Sequence, residues 1–303
     1  GRPRGMGAFR RLVRSPLTGG PHMTNPWLAA AVALFVWWFS TGAILWRVAR
    51  ADRAGGRAHL NSTLYSLPLL ALGLAGLVLT RDQTTVASAY LAFLSALALW
   101  GWIEIAFLSG IVTGPNRRPL PPGSDGFDRF WRATLTVLWH ELTLIGALGL
   151  LVLVAGSQAN PFGLWSFVIL FFARASAKLN LFFGVPRIHT EFLPRPLSHL
   201  ASHFRHARMN WLFPLSVTAL SFAAACWMER AATATTDFSL AGHVLLAALT
   251  LLALLEHWFM VLPLPDQKLW RWMLPTSPPV PAPPIARPMT ASPIPASPIP
   301  ARK

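Results

Sequence analysis

Apolar residues run through this chain in long uninterrupted stretches, separated by short polar segments rich in Arg, Gly and Pro. An α-helix needs about 20 apolar residues to cross a hydrocarbon core of about 30 Å. Seven runs reach or approach that length: 27–46, 60–80, 86–111, 133–155, 162–183, 211–228 and 239–264. In lipid only helices and closed barrels satisfy their own backbone groups. The pattern therefore predicts an all-α, polytopic transmembrane helix bundle of about seven spans. It divides the chain into a basic extension at 1–22, a transmembrane domain at 23–265 and a Pro-rich, disordered tail at 266–303.

Composition agrees with this division. Of 303 residues, 53% are hydrophobic and 12% charged, about half the charge of a soluble domain. A net charge of +15 on a soluble protein would point to nucleic acid. Here the cations lie in loops between apolar runs, so topology accounts for them and membrane lipid is the expected partner. The loops after spans one, three and five and the tail after span seven hold most of the 26 Lys and Arg, while the opposite loops hold Arg81 and Arg230. The positive-inside rule then places the N-terminus outside and the C-terminus in the cytoplasm. Arg2, Arg4, Arg10, Arg11 and Arg14 break the rule, and Met23 opens the sequence MTNPWLAAAVALF. Translation starting at Met23 would remove the conflict; N-terminal sequencing of native protein tests it. The single cysteine, Cys226, lies in an apolar run; it leaves no partner for an intramolecular disulfide, and nothing suggests a Cys metal site.

Ionisable residues inside spans are costly unless paired or wet, so each is a candidate site. Glu104 lies in span three, His140 and Glu141 in span four, Arg174, Lys178 and Asn180 in span five, and Glu256 and His257 in span seven. With the orientation above, all three carboxylates fall at a similar depth, about 10–12 Å below the cytoplasmic boundary. Three readings compete. The carboxylates neutralise Arg174 and Lys178, which are four residues apart on one helix face. Alternatively His140, with Trp139 beside it, or His257, with Trp258, ligates the magnesium of a chlorophyll-type pigment through neutral imidazole. In the third, Glu104, Glu141, His199 and His203 bind a metal pair, the two histidines sharing a helix face. The Glu-x-x-His pairs that bundle di-metal sites use are absent from the spans.

The stretch 174–214 is dense in polar groups, with His189, Glu191, His199, His203 and His206 following Gly184 and Pro186. It reads either as an amphipathic helix lying on the headgroups or as a lid over the buried carboxylates. The loop 114–123 reads as a rigid basic anchor, and Trp37 and Trp38 as deep packing residues. The sequence contains no P-loop, dinucleotide fingerprint, His-Glu-x-x-His or Gly-x-Ser-x-Gly motif.

Several uncommon strings occur in order: FVWWFSTGAILW (35–46), AYLAFLSALALWGWIEIAFLSG (89–110), GPNRRP (114–119), HELTL (140–144), RASAKLNLFFGVPR (174–187) and MNWLFPLSV (209–217). Over about residues 24–262 the chain resembles the PuhE family of photosynthetic complex assembly proteins of purple phototrophic bacteria. The resemblance implies residence in the bacterial inner membrane and its invaginations. It implies a role in reaction-centre and core-antenna assembly or in bacteriochlorophyll supply, with bacteriochlorophyll or a precursor as ligand. Its implied partners are reaction-centre or antenna subunits or pigment-synthesis enzymes. It assigns no catalytic residue. The residues themselves leave open two other classes: a membrane enzyme of tetrapyrrole metabolism using the Glu/His cluster, and a transporter of small solutes or pigment precursors.

Overall fold

The computed structural model describes residues 24–155 and 157–263. The basic extension, the Met23 start and the Pro-rich tail lie outside the described residues. So do the last residue of the seventh predicted span and the end of the predicted transmembrane domain. The α-helices are α1 (Pro26–Ala54), α2 (Ala58–Tyr65), α3 (Leu67–Thr80), α4 (Val86–Leu108), α5 (Gly126–Ala155), α6 (Phe162–Phe183), α7 (Leu212–Ala232) and α8 (Asp237–Phe259), with 3-10 helices at Thr190–Phe192 and Arg195–His203. Seven helical stretches are long and apolar enough to cross a membrane, α2 and α3 together forming the second. The chain is thus an all-α polytopic bundle, and no β-strand occurs among the described residues.

Local chemistry sets the helix ends. Asn25 caps α1 by accepting a hydrogen bond from the Trp27 amide, and Pro26 occupies the first turn, where its missing N–H costs nothing. The helix continues past the predicted 46 to Ala54, because helical backbone need not stop where the apolar run stops. Gly55, at φ +65°, ends it. The second span breaks at Ser66. Pro68 has no N–H to donate and its ring crowds the preceding turn, so α2 and α3 meet at a tightened turn. Thr85 and Ser88 cap α4 reciprocally.

Helices in lipid gain little from hydrophobic burial against one another, so close packing must hold them. α4 is the most buried span and lies at the centre with α8. One cluster joins Ala29 and Ala33 of α1, Phe93 of α4, Phe162 of α6 and Leu245 and Leu249 of α8. A second joins Leu77 of α3, Leu99 and Ile103 of α4, Leu144 and Leu151 of α5 and Phe167 of α6. Small residues permit the closest approach: a methyl group added at Gly73 would lie 2.8 Å from the Leu99 amide nitrogen and 2.9 Å from the Ser95 carbonyl oxygen. The outer surface is apolar, with Leu72, Leu79, Phe127, Leu153 and Phe222 exposed as lipid requires.

The connections gather at the two ends of the bundle. At one end Asn160 is buried; its side chain donates to the carbonyls of Thr80 (3.2 Å) and Ser88 (3.0 Å), tying the α5–α6 turn to the α3–α4 turn. The other end is the basic one. Asp52, near the end of α1, accepts from His59 and from the Arg195 amide. The Leu120 amide donates to Ser202, and the Arg187 amide to the Met260 carbonyl beyond α8.

Candidate functional site

The stretch between α6 and α7 is not the interfacial α-helix considered from sequence. Pro186, Pro194 and Pro196 withdraw backbone donors, and the ordered part is the 3-10 helix Arg195–His203. With three residues per turn, positions i and i+3 stack. Leu197, Leu200 and His203 therefore form one buried face, and Leu197 and Leu200 pack against Phe107 of α4. His199 and His203, four apart, lie about 120° apart around such a helix. The shared face expected of them as metal ligands does not form. Among the described residues no group of three or more His, Cys, Asp or Glu is placed to hold a metal ion.

Beneath this segment sit the charges of the spans. Arg174 Nη2 donates to Glu104 Oε2 at 3.0 Å. One turn along α6, Lys178 forms an ion pair with Glu141 of α5 and lies 5.4 Å above the Phe107 ring. Glu256 of α8 accepts from the indole of Trp37 on α1 at 2.8 Å, and together with Glu104 and Arg174 it faces one cavity. Span four thus supplies the partner for Lys178, and span three the partner for Arg174.

The two intramembrane histidines differ. His257 Nδ1 donates to the Ala253 carbonyl at 2.8 Å, which leaves Nε2 as the acceptor for the Ser176 hydroxyl at 2.9 Å. Ser216 donates to Leu212 and accepts from Asn180, which in turn accepts from Asn210. This chain seams α6, α7 and α8 together and occupies both nitrogens of His257, so the reading of His257 as a pigment ligand loses its open coordination position. His140 is fully buried, its ring 4.2 Å from that of Phe107. Its Nε2 lies 4.0 Å from Glu104 Oε1, beyond hydrogen-bonding range, and neither ring nitrogen has a hydrogen-bond partner among the described residues. A macrocycle has no route to this imidazole as placed, so the pigment-ligand reading of His140 lacks an accessible nitrogen.

Outside the spans, burial holds the His199 and His203 imidazoles below the usual histidine range. At His199 the neighbouring His203 and Arg117 add to the effect. At His203 the hydrogen bond to the Arg118 carbonyl opposes it, and Arg129 and Arg132 reinforce it.

Two cavities flank Arg174. One, of about 350 Å³, lies between α4, α5, α6 and the 3-10 segment. The other, of about 330 Å³, lies between α1, α4, α6 and α8 and contains Glu104, Glu256 and Trp37. Both are of ligand-binding size. Sequence reasoning missed Trp37 as a donor, Ser176 and Ser216 as the bridge to His257, and Arg129. The Arg129 guanidinium donates to the carbonyls of Phe182 and His203 and lies 4.0 Å above the Phe182 ring, closing the C-terminal end of α6. Ser176 and Asn180, four apart in an apolar run, were the available signal for the bridge.

Residues 23–280 match the family described as "Protein of unknown function (DUF3623)". A Rhodobacter capsulatus protein described as "Uncharacterized 30.4 kDa protein in puhA 5'region" is 61% identical over 254 residues, covering 84% of this chain and 93% of its own. No solved structure matches.

Proposed function

This chain belongs to the DUF3623 family of proteins of unknown function, and on that premise we propose that it is an integral membrane factor assisting assembly of the bacterial photosynthetic reaction centre and core antenna, or supplying bacteriochlorophyll to it. Two lines support the context: the likeness to PuhE sequences, and a relative whose name places it in the 5' region of puhA. The observation that carries the mechanism is the pairing of charge within the spans. Arg174 and Lys178 are each matched to a carboxylate, which fits a scaffold whose polar groups hold helices together while its apolar faces and cavities receive a partner or pigment.

In this reading the protein resides in the bacterial inner membrane with its basic end in the cytoplasm, as the distribution of Arg and Lys favours. Reaction-centre or antenna subunits, or a pigment-synthesis enzyme, bind it laterally. The test is affinity purification from phototrophically grown cells, repeated with Glu141→Gln/Lys178→Gln, which removes both members of a half-buried intramembrane pair together. An assembly factor co-purifies with photosynthetic subunits, and the double variant still supports complex accumulation. Absence of those partners, with a bacteriochlorophyll precursor accumulating in the double variant, would instead identify a membrane enzyme of tetrapyrrole metabolism.

A further inference from the structure

We propose that the cavity between α4, α5, α6 and the 184–211 connection binds an anionic phospholipid, its phosphate against Arg187 and Lys178 and one acyl chain along the phenylalanine wall. Arg174, Lys178 and Arg187 line it together with His189 and His203, and among the described residues no Asp or Glu does. The neighbouring cavity is different in kind, because Glu104 and Glu256 line it. The remaining wall is mostly apolar, with Phe107, Phe130, Phe182 and Phe204 beside Thr134 and Thr136.

Each feature narrows the ligand. Free phosphate would match the cations but gain nothing from four phenylalanines. A zwitterionic lipid brings an ammonium that finds no Asp or Glu lining the cavity among the described residues, since Glu141 and Glu104 are already paired with Lys178 and Arg174. An anionic amphiphile satisfies both halves, and basic pockets between transmembrane helices on the cytoplasmic side are suited to such headgroups. Depth agrees. Arg187 lies just beyond Gly184, which ends α6, and Lys178 is five residues inside that helix end, about 8 Å deeper. A phosphate at that level remains continuous with the headgroup layer while its chain enters the apolar part.

Arg174 and Lys178 retain capacity for it. Arg174 gives Nη2 to Glu104, and its side chain remains 40% exposed. The Lys178 ammonium, paired with Glu141, has three N–H donors in all.

The test uses the full chain, stripped of lipid in a neutral maltoside. It is then exposed to nanodiscs of phosphatidylcholine alone or mixed with phosphatidylglycerol, and retained lipid is counted by native mass spectrometry. One phosphatidylglycerol per chain is expected, not displaced by inorganic phosphate. Arg187→Gln should lower occupancy about tenfold, as loss of one charge-assisted contact does. Arg195→Gln, an exposed cation lining neither cavity, should leave it unchanged. Ala133→Leu, which fills the cavity without altering charge, should also lower occupancy and serves if Arg187→Gln does not fold. Equal retention of phosphatidylcholine, displacement by inorganic phosphate, or equal losses in Arg187→Gln and Arg195→Gln would each overturn the site.

Discussion

Replacing Arg174 by Met strands a carboxylate, and the size of the effect follows from the pair's geometry. The charges are 3.0 Å apart; the Glu104 side chain is 9% exposed and that of Arg174 40%. At an effective dielectric constant of about 20 their attraction is about 5.5 kcal/mol. That figure is not the cost of the substitution, because desolvation already offsets much of it. Removing one partner of a buried pair typically costs about 3–5 kcal/mol, and the partial exposure of Arg174 places this pair at the lower end. Arg174→Met should therefore destabilise the bundle by about 3 kcal/mol, and the double variant Glu104→Met/Arg174→Met by less than about 1 kcal/mol, since removing both charges leaves nothing uncompensated. Reversible unfolding in mixed micelles measures all members of the cycle. Simple additivity, with the double variant as unstable as both singles summed, would refute the claim that the pair acts as a unit.

Gly73→Ala should destabilise by about 1–3 kcal/mol in the same assay, because the new methyl group meets the α4 backbone; stabilisation, as expected from helix propensity alone, would contradict the close approach of α3 and α4. Asn160→Ala should cost about 1–3 kcal/mol and raise hydrogen exchange in the 81–88 turn; unchanged exchange there would show that the tie is dispensable. His203 gives a pH dependence. Its docked form binds a proton less readily than the undocked segment, so docking is fully stable above about pH 6.5 and weakens as pH falls through that value. Hydrogen exchange over residues 195–204, corrected for intrinsic rates, should rise on acidification in the native chain and less steeply in His203→Phe, where His199 of the same segment supplies the remaining response; a flat native profile would count against burial of that imidazole.

The spans were legible because the requirement for backbone satisfaction in lipid leaves a long apolar run little alternative to a helix. The pairing of carboxylates with Arg174 and Lys178 was one of three readings the residues allowed, since shared depth and sidedness limit which charges can meet. Two things were hidden. The 3-10 geometry of Arg195–His203 depends on how its prolines combine with burial of Leu197 and Leu200 against Phe107, a tertiary contact that no local pattern encodes. The state of the histidines depends on Ser176, Ser216 and Phe107, ordinary residues in an apolar run whose importance comes only from their neighbours. The same spacing of four therefore put Arg174 and Lys178 on one helix face and His199 and His203 on different ones.

The central claim is that this chain assists assembly by holding a partner or pigment. The most direct measurement is the absorption spectrum and metal content of one sample, purified in mild detergent from phototrophically grown cells and analysed for co-purifying subunits. Reaction-centre or antenna subunits, or bacteriochlorophyll-type absorbance, are expected, without stoichiometric transition metal in the chain itself. A colourless, partner-free protein carrying stoichiometric iron would contradict it and make the Glu104, His140 and Glu141 region an active site.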